Sequence, residues 1–191
     1  MTAPAFIAAV FLLLLTPGPT NTLLAVAGGS AGFRRSLHLI AAEAAGYLLT
    51  IVPLATFAGP YLAAHPIAAS AIKLCSAIWV LLLAARLWTI APAGMEAPLV
   101  TFRQVFITTV LNPKALIFGL VLLPHGSLQA MLPWLGLFLM IVLTVACLWL
   151  SSGAAVIGRA NGEFPLLLRR IAASLLLCFS AGLAGSSLGL I

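Results

Sequence analysis

Charge is what this sequence has least of. Only 6% of its 191 residues are charged, against 63% hydrophobic, which leaves too little polar surface to cover a water-soluble globule. The chain reads as an integral membrane protein with no soluble domain left over. Cysteine is scarce as well: Cys75, Cys147 and Cys178 lie in separate apolar runs, with no CxxC pair and no histidine beside them. That spacing argues against a disulfide framework or a zinc site and suits small packing residues. His38, His65 and His125 fall at or near the joints between runs. No histidine therefore stands in the core of a run to activate a serine or to join a metal cluster, which disfavours an intramembrane protease. No Lys or Arg precedes Arg34, so the first run lacks the positive flank of a signal peptide and is expected to stay in the mature protein.

What is present is hydrophobic length. Runs near the roughly 20 residues that cross a bilayer can be drawn at about 4–28, 37–58, 67–88, 104–123, 131–157 and 171–190. They predict an all-α polytopic membrane protein, one transmembrane domain over residues 1–191, with turn chemistry at every joint. Arg34 and Arg35 flank the first joint, Arg86 and Arg103 the third, and Arg159, Arg169 and Arg170 the fifth, whereas the second and fourth carry neither Lys nor Arg. By the positive-inside rule the odd joints are cytoplasmic and both termini lie outside. The net charge of +6 is then topological, and its dispersal over helix ends speaks against nucleic acid as a partner. Small-residue spacings such as Ala42 to Gly46 permit close helix contact. Trp79, Trp88, Trp134 and Trp149, with Tyr47 and Tyr61, are expected as interfacial anchors.

Two of the six runs are interrupted. TPGPTN, Thr16 to Asn21, cannot continue a helix, because Pro17 and Pro19 donate no N–H and leave the carbonyls of Leu13 and Leu15 without helical partners. Asn112, Pro113 and Lys114 interrupt the fourth run near mid-depth. Lipid cannot satisfy freed backbone groups, so such breaks must be buried in protein or line a cavity. Three helices per half and opposite starting sides make the fourth helix the inverted counterpart of the first. The expectation is two inverted three-helix repeats, about 1–90 and 103–191, with helices 1 and 4 broken at TPGP and NPK and the site between them. Such a site suits an amino-acid zwitterion. Freed carbonyls before Pro17, Pro19 and Pro113 would receive its ammonium, and the half-helix starting near Asn21, capped by Thr20 or Asn21, would point N–H groups at its carboxylate.

Three ionisable residues lie well inside the runs: Glu43, Lys73 and Lys114. A charge at a helix centre costs about 2.5–3.5 kcal/mol on insertion scales, so such residues tend to face a bundle interior and mark pathways. Lys73 lies about 9 Å from the outer end of its helix and has a stem long enough to snorkel. Glu43 is a candidate proton carrier, with a permanent ion pair to Lys73 or Lys114 as the alternative. Lys114 directly follows the second break and ranks highest.

These segments resemble a known family. TPGPTN, the GFRRS joint, AIKLCSAIWVLLLAARLW and FRQVFITTVLNPKALIFG are similar to the LysE/RhtB superfamily of bacterial amino-acid exporters, over most of the chain. The resemblance implies a secondary transporter in the bacterial inner membrane that exports amino acids or related metabolites, driven by the proton motive force and using no cofactor. Its motif residues fall on Pro17, Gly18, Pro19, Asn21, Lys73, Asn112, Pro113 and Lys114. Thr20 stands where the family pattern often has Asn, and Glu43 where an apolar or small residue is expected. Two intramembrane lysines favour small neutral substrates such as homoserine, threonine or cysteine over dicationic ones. A homo-oligomer is compatible with the pattern. The competing classes are a channel or metal-ion exporter, and a membrane thiol oxidoreductase, which would need a paired thiol.

Overall fold

The computed structural model describes residues 2–58, 64–89, 100–123, 127–158 and 166–187, and it is helical in each of the six runs, with no strand among the described residues. The elements are α1 (Ala3–Leu15), α2 (Pro19–Ala31), a short α3 (Phe33–Ser36), α4 (His38–Pro53), α5 (Pro66–Thr89), α6 (Phe102–Val110), α7 (Pro113–Ile117), α8 (Leu128–Gly158) and α9 (Leu166–Ser187). Two helices are long and apolar enough to cross a membrane: the stretch Phe33–Phe57, which contains α3 and α4, and Leu128–Val156 within α8. The pair α1 and α2, bent by 63° at the TPGP break, makes a third. Large apolar side chains cover the outside, among them Leu12, Phe57, Ile67, Leu132 and Met140. A water-soluble protein rarely exposes so many large apolar side chains, whereas lipid accepts them.

Local chemistry sets the breaks and bends. Pro19 and Pro113 each open a helix at a first-turn position, where the missing N–H costs nothing. Pro53 ends α4, and the chain widens into a π-helical turn at Leu54–Ala58; a second such turn, Phe118–Leu122, extends α7. Gly32, at φ 83°, makes the left-handed corner between α2 and α3, which a side chain would strain. Thr101 and Gln104 form a reciprocal capping box at the start of α6, with Gln104 N donating to Thr101 Oγ1 at 3.2 Å and Thr101 N to Gln104 Oε1 at 2.9 Å.

The helix pairings follow a pattern of direction. Phe6 of α1 stacks edge-on against Trp134 of α8, 5.0 Å between centroids, and Ile7 and Phe11 share a cleft with Leu137, Met140 and Thr144 further along α8, so these helices run the same way. Gly46 of α4 lies against Phe106 and Thr109 of α6, and Leu54 against Gly119, so this pair also runs the same way. By contrast Ser180 of α9 donates to the Ala77 carbonyl of α5 at 2.8 Å, while Arg170 lies 5.7 Å over the ring of Trp88, so α5 and α9 run oppositely.

The buried apolar residues divide into two clusters. One gathers Leu23 to Ala27, Leu39 to Ala42, Val80 to Ala84, Val105, Ala146, Leu150 and Leu176. The other gathers Phe6 to Leu14, Tyr47 to Ala55, Ala115 to Leu123 and Met131 to Val145. Along the first, second and fourth runs the chain passes from one cluster to the other through a stretch that carries buried polar residues: Thr20 to Thr22, Glu43, and Thr108 to Lys114. The polar layer therefore crosses the middle of the bundle.

Candidate functional site

The two breaks meet. A chain of hydrogen bonds with a single direction links them: Asn112 Nδ2 donates to Thr20 Oγ1 at 3.1 Å, and Thr20 and Thr109 hydroxyls lie 3.3 Å apart. The Thr109 hydroxyl proton goes to the Val105 carbonyl at 2.9 Å, so Thr20 donates to Thr109. The other end of the Asn112 amide caps α7, its Oδ1 accepting from Lys114 N at 3.1 Å. The same Nδ2 points to the Tyr47 hydroxyl at 3.5 Å. All of these residues are buried, and two breaks about ninety positions apart in sequence share one polar network.

The carbonyls at the end of α1 are taken by side chains. Asn21 Nδ2 donates to Leu14 O at 2.6 Å and to Thr16 O at 3.0 Å, and Lys114 Nζ donates to Thr16 O as well. This corrects the sequence reading in two respects. Neither Thr20 nor Asn21 caps α2: its N-cap is Gly18, without a side-chain bond, and Asn21 turns back to close the preceding helix instead. The reason is supply and demand. Pro19 already removes one orphan N–H from the start of α2, whereas the interrupted α1 leaves carbonyls without helical partners. The carbonyl set aside for a substrate ammonium holds the ammonium of Lys114, at the negative end of the α1 dipole.

Gly18 makes that position possible, because a Cβ there would lie 3.2 Å from both Cε and Nζ of Lys114. Glu43 is 2% exposed and its Oε2 has no hydrogen-bond partner. Lys114 Nζ gives one of its three N–H groups to the Thr16 carbonyl. The alternative for Glu43 is a permanent ion pair with Lys73 or Lys114: no hydrogen bond joins it to Lys114, and the Lys73 side chain lies outside the described residues.

Of the residues singled out from sequence, Gly18, Pro19, Thr20, Asn21, Glu43, Asn112 and Lys114 are buried in or beside this layer, Pro113 is half-buried, and Pro17 is exposed at the bend. Lys73 lies on α5, and its side chain lies outside the described residues, as do Tyr61, His125 and Arg159. Tyr47 is a correction. Expected as an interfacial anchor, it is 1% exposed and packs its ring on Phe118 and Phe138 at 5.6 and 5.4 Å. Its four-residue spacing from Glu43 puts both on one helix face, and that spacing was the available signal. Thr108 and Thr109 were missed too; Trp79, likewise expected at the interface, donates its Nε1 to Thr108 Oγ1 at 2.9 Å. Cys75 and Cys178 are exposed on the outer surface rather than packed, and Cys147 is half-buried.

No cluster of three or more His, Cys, Asp or Glu side chains suited to a metal ion occurs among the described residues. Comparison of the chain with protein-family models, with curated proteins and with solved structures gives no match.

Proposed function

We propose that this chain is a secondary transporter of the LysE/RhtB type, exporting small neutral amino acids such as homoserine, threonine or cysteine across the bacterial inner membrane in exchange for protons. The observation that carries the reading is the polar layer between the two apolar clusters, in which both helix breaks, Glu43, Tyr47 and Lys114 come together. Membrane proteins tolerate irregular backbone and ionisable groups at depth where these serve a substrate or ion path. A six-span inverted repeat accounts for the pairings. The first run packs on the fifth and the fourth on the second, each pair running the same way, and the third meets the sixth head to tail. Exchanging the two halves maps this set of pairings onto itself, as a pseudo-two-fold axis would.

In the proposed cycle the first turn of α2 receives the substrate carboxylate, where Thr20 and Asn21 have N–H groups without intrahelical acceptors. The substrate ammonium lies toward the α1 terminus and Glu43. Glu43, buried without a hydrogen-bond donor, carries the coupled proton. The test is efflux from preloaded proteoliposomes with a mixed amino-acid pool, with and without an imposed pH gradient. Selective, gradient-dependent loss of a few amino acids is expected, and it should vanish in Asn112→Ala and Lys114→Ala while both variants still insert. Normal flux in both variants, or no amino-acid flux in well-inserted protein, would overturn the assignment in favour of a channel or ion exporter.

A further inference from the structure

We propose that the end of α1 is a binding site for a primary ammonium group, that Lys114 occupies it in the resting protein, and that a bound ligand displaces Lys114 onto Glu43. Three observations carry this. The Thr16 carbonyl, on an exposed residue at the bend, accepts from Lys114 Nζ at a helix C-terminus. Gly18 beside it leaves space that a single methyl group would crowd, with Cε and Nζ of Lys114 both 3.2 Å from where it would sit. The displaced lysine has a destination on the neighbouring helix: Glu43 Oε2 is buried and unpartnered, one turn of α4 before Tyr47, whose hydroxyl lies 3.5 Å from the amide of Asn112, two residues before Lys114. A buried carboxyl group left without a partner is costly, and Lys114 crossing to it gives its ionised form a charge-assisted bond. The lysine is thus a tethered stand-in for the ligand, and the ligand's arrival changes which two elements are joined, from α7 with α1 to α7 with α4.

This names the group that the proposed transport site takes, and so rests on that reading, but it is measured as binding. Flux can fail while binding holds, and the reverse, so the two are separable. Detergent-solubilised wild type and Lys114→Ala are heated with methylammonium chloride or, at equal ionic strength, tetramethylammonium chloride, and the surviving monodisperse protein is measured by size exclusion. Methylammonium is expected to stabilise Lys114→Ala saturably, with a half-saturating concentration about tenfold below that of wild type, where it competes with the tethered ammonium. Tetramethylammonium, which has no N–H to donate, should do nothing. Equal effects of the two cations, or none, in Lys114→Ala would overturn the proposal. Glu43→Gln provides a second test that leaves the lysine in place. It should raise the wild-type half-saturating concentration about tenfold, because the displaced ammonium loses its charged acceptor; an unchanged value would refute the lysine's transfer. Ethylammonium and alanine, run in parallel, tell a simple amine from an amino acid as the source of the group, and binding by neither would again refute it.

Discussion

The crossing of α2 and α8 offers a prediction in which the sign of one substitution changes with position. A Cβ on Gly28 would collide with the Leu150 carbonyl, lying 2.8 Å from its carbon and 2.9 Å from Cα, and one on Gly153 would collide with the Ala25 carbonyl, 2.7 Å from its carbon. Ordinary contacts begin at 3.4 Å, and backbone cannot rotate aside as a side chain can. The helices must separate, and overpacking of this kind costs typically about 1–3 kcal/mol. Taking about 3 for a rigid backbone obstacle, offset by about 1 gained from replacing helical Gly with Ala, each of Gly28→Ala and Gly153→Ala should destabilise by about 2 kcal/mol. On the usual scaling for chains of this length that is about 4–8 °C in melting temperature. Gly136 and Gly182 are the internal controls: nothing lies within 4 Å of an added Cβ, so the same change should be neutral or stabilising by up to about 1 kcal/mol. The double variant Gly28→Ala with Gly153→Ala should cost less than the two separately, since helices parted for one methyl already admit the other. The assay is thermal unfolding in detergent, followed by tryptophan fluorescence. Equal shifts at Gly28 and Gly136 would refute the argument from close approach.

Thr20→Val keeps the shape but removes the middle of the Asn112–Thr20–Thr109 chain, leaving a buried amide donor without its acceptor; a loss of about 1–3 kcal/mol is expected in thermal unfolding, and an unchanged midpoint would show that the network contributes nothing. Tyr47→Phe retains the ring contacts with Phe118 and Phe138 and gives up only a long bond, so stability should fall by less than about 1 kcal/mol while amino-acid efflux drops; full efflux would remove Tyr47 from the site. Ser180→Ala deletes the hydroxyl tie from α9 to the Ala77 carbonyl and should cost about 1 kcal/mol in thermal unfolding, with no change in the selectivity of the proposed efflux.

Much of this arrangement was legible because prolines and intramembrane charges speak locally. The breaks fall at Pro17, Pro19 and Pro113, where glycine or asparagine stands beside the proline, whereas the lone Pro133 is carried inside α8. What surrounds them is a different matter. The identity of the group that satisfies Leu14 and Thr16 depends on which side chains come close after folding, and Asn21 reads from sequence as a candidate cap for α2 instead. Tyr47 was misplaced for a related reason. An aromatic hydroxyl suits an interface or a buried polar partner equally well, and only the packing of α4 on α6 and α7 decides between them. Hydropathy alone could not separate the two apolar clusters, since both read as unbroken apolar sequence from either side of the polar layer.

The breaks also satisfy each other. An interrupted helix in lipid leaves carbonyls on one side and N–H groups on the other, and neither break supplies enough partners within its own segment. Asn21 closes the Leu14 carbonyl locally, but Thr16 also receives Lys114 from the second break, and Asn112 of the second break donates to Thr20 of the first. The debt is therefore crossed between the two halves. It follows that a lesion at either motif should be felt at both: Asn112→Ala should lower the stability of the bundle by more than the roughly 1 kcal/mol of a lost N-cap, because Thr20 loses its donor as well. Hydrogen exchange would show this directly. Faster exchange is expected of the α2 amides from Thr22 onward, the first that is bonded within the helix, as well as of those in α7, and acceleration confined to α7 would mean that the two breaks stand independently.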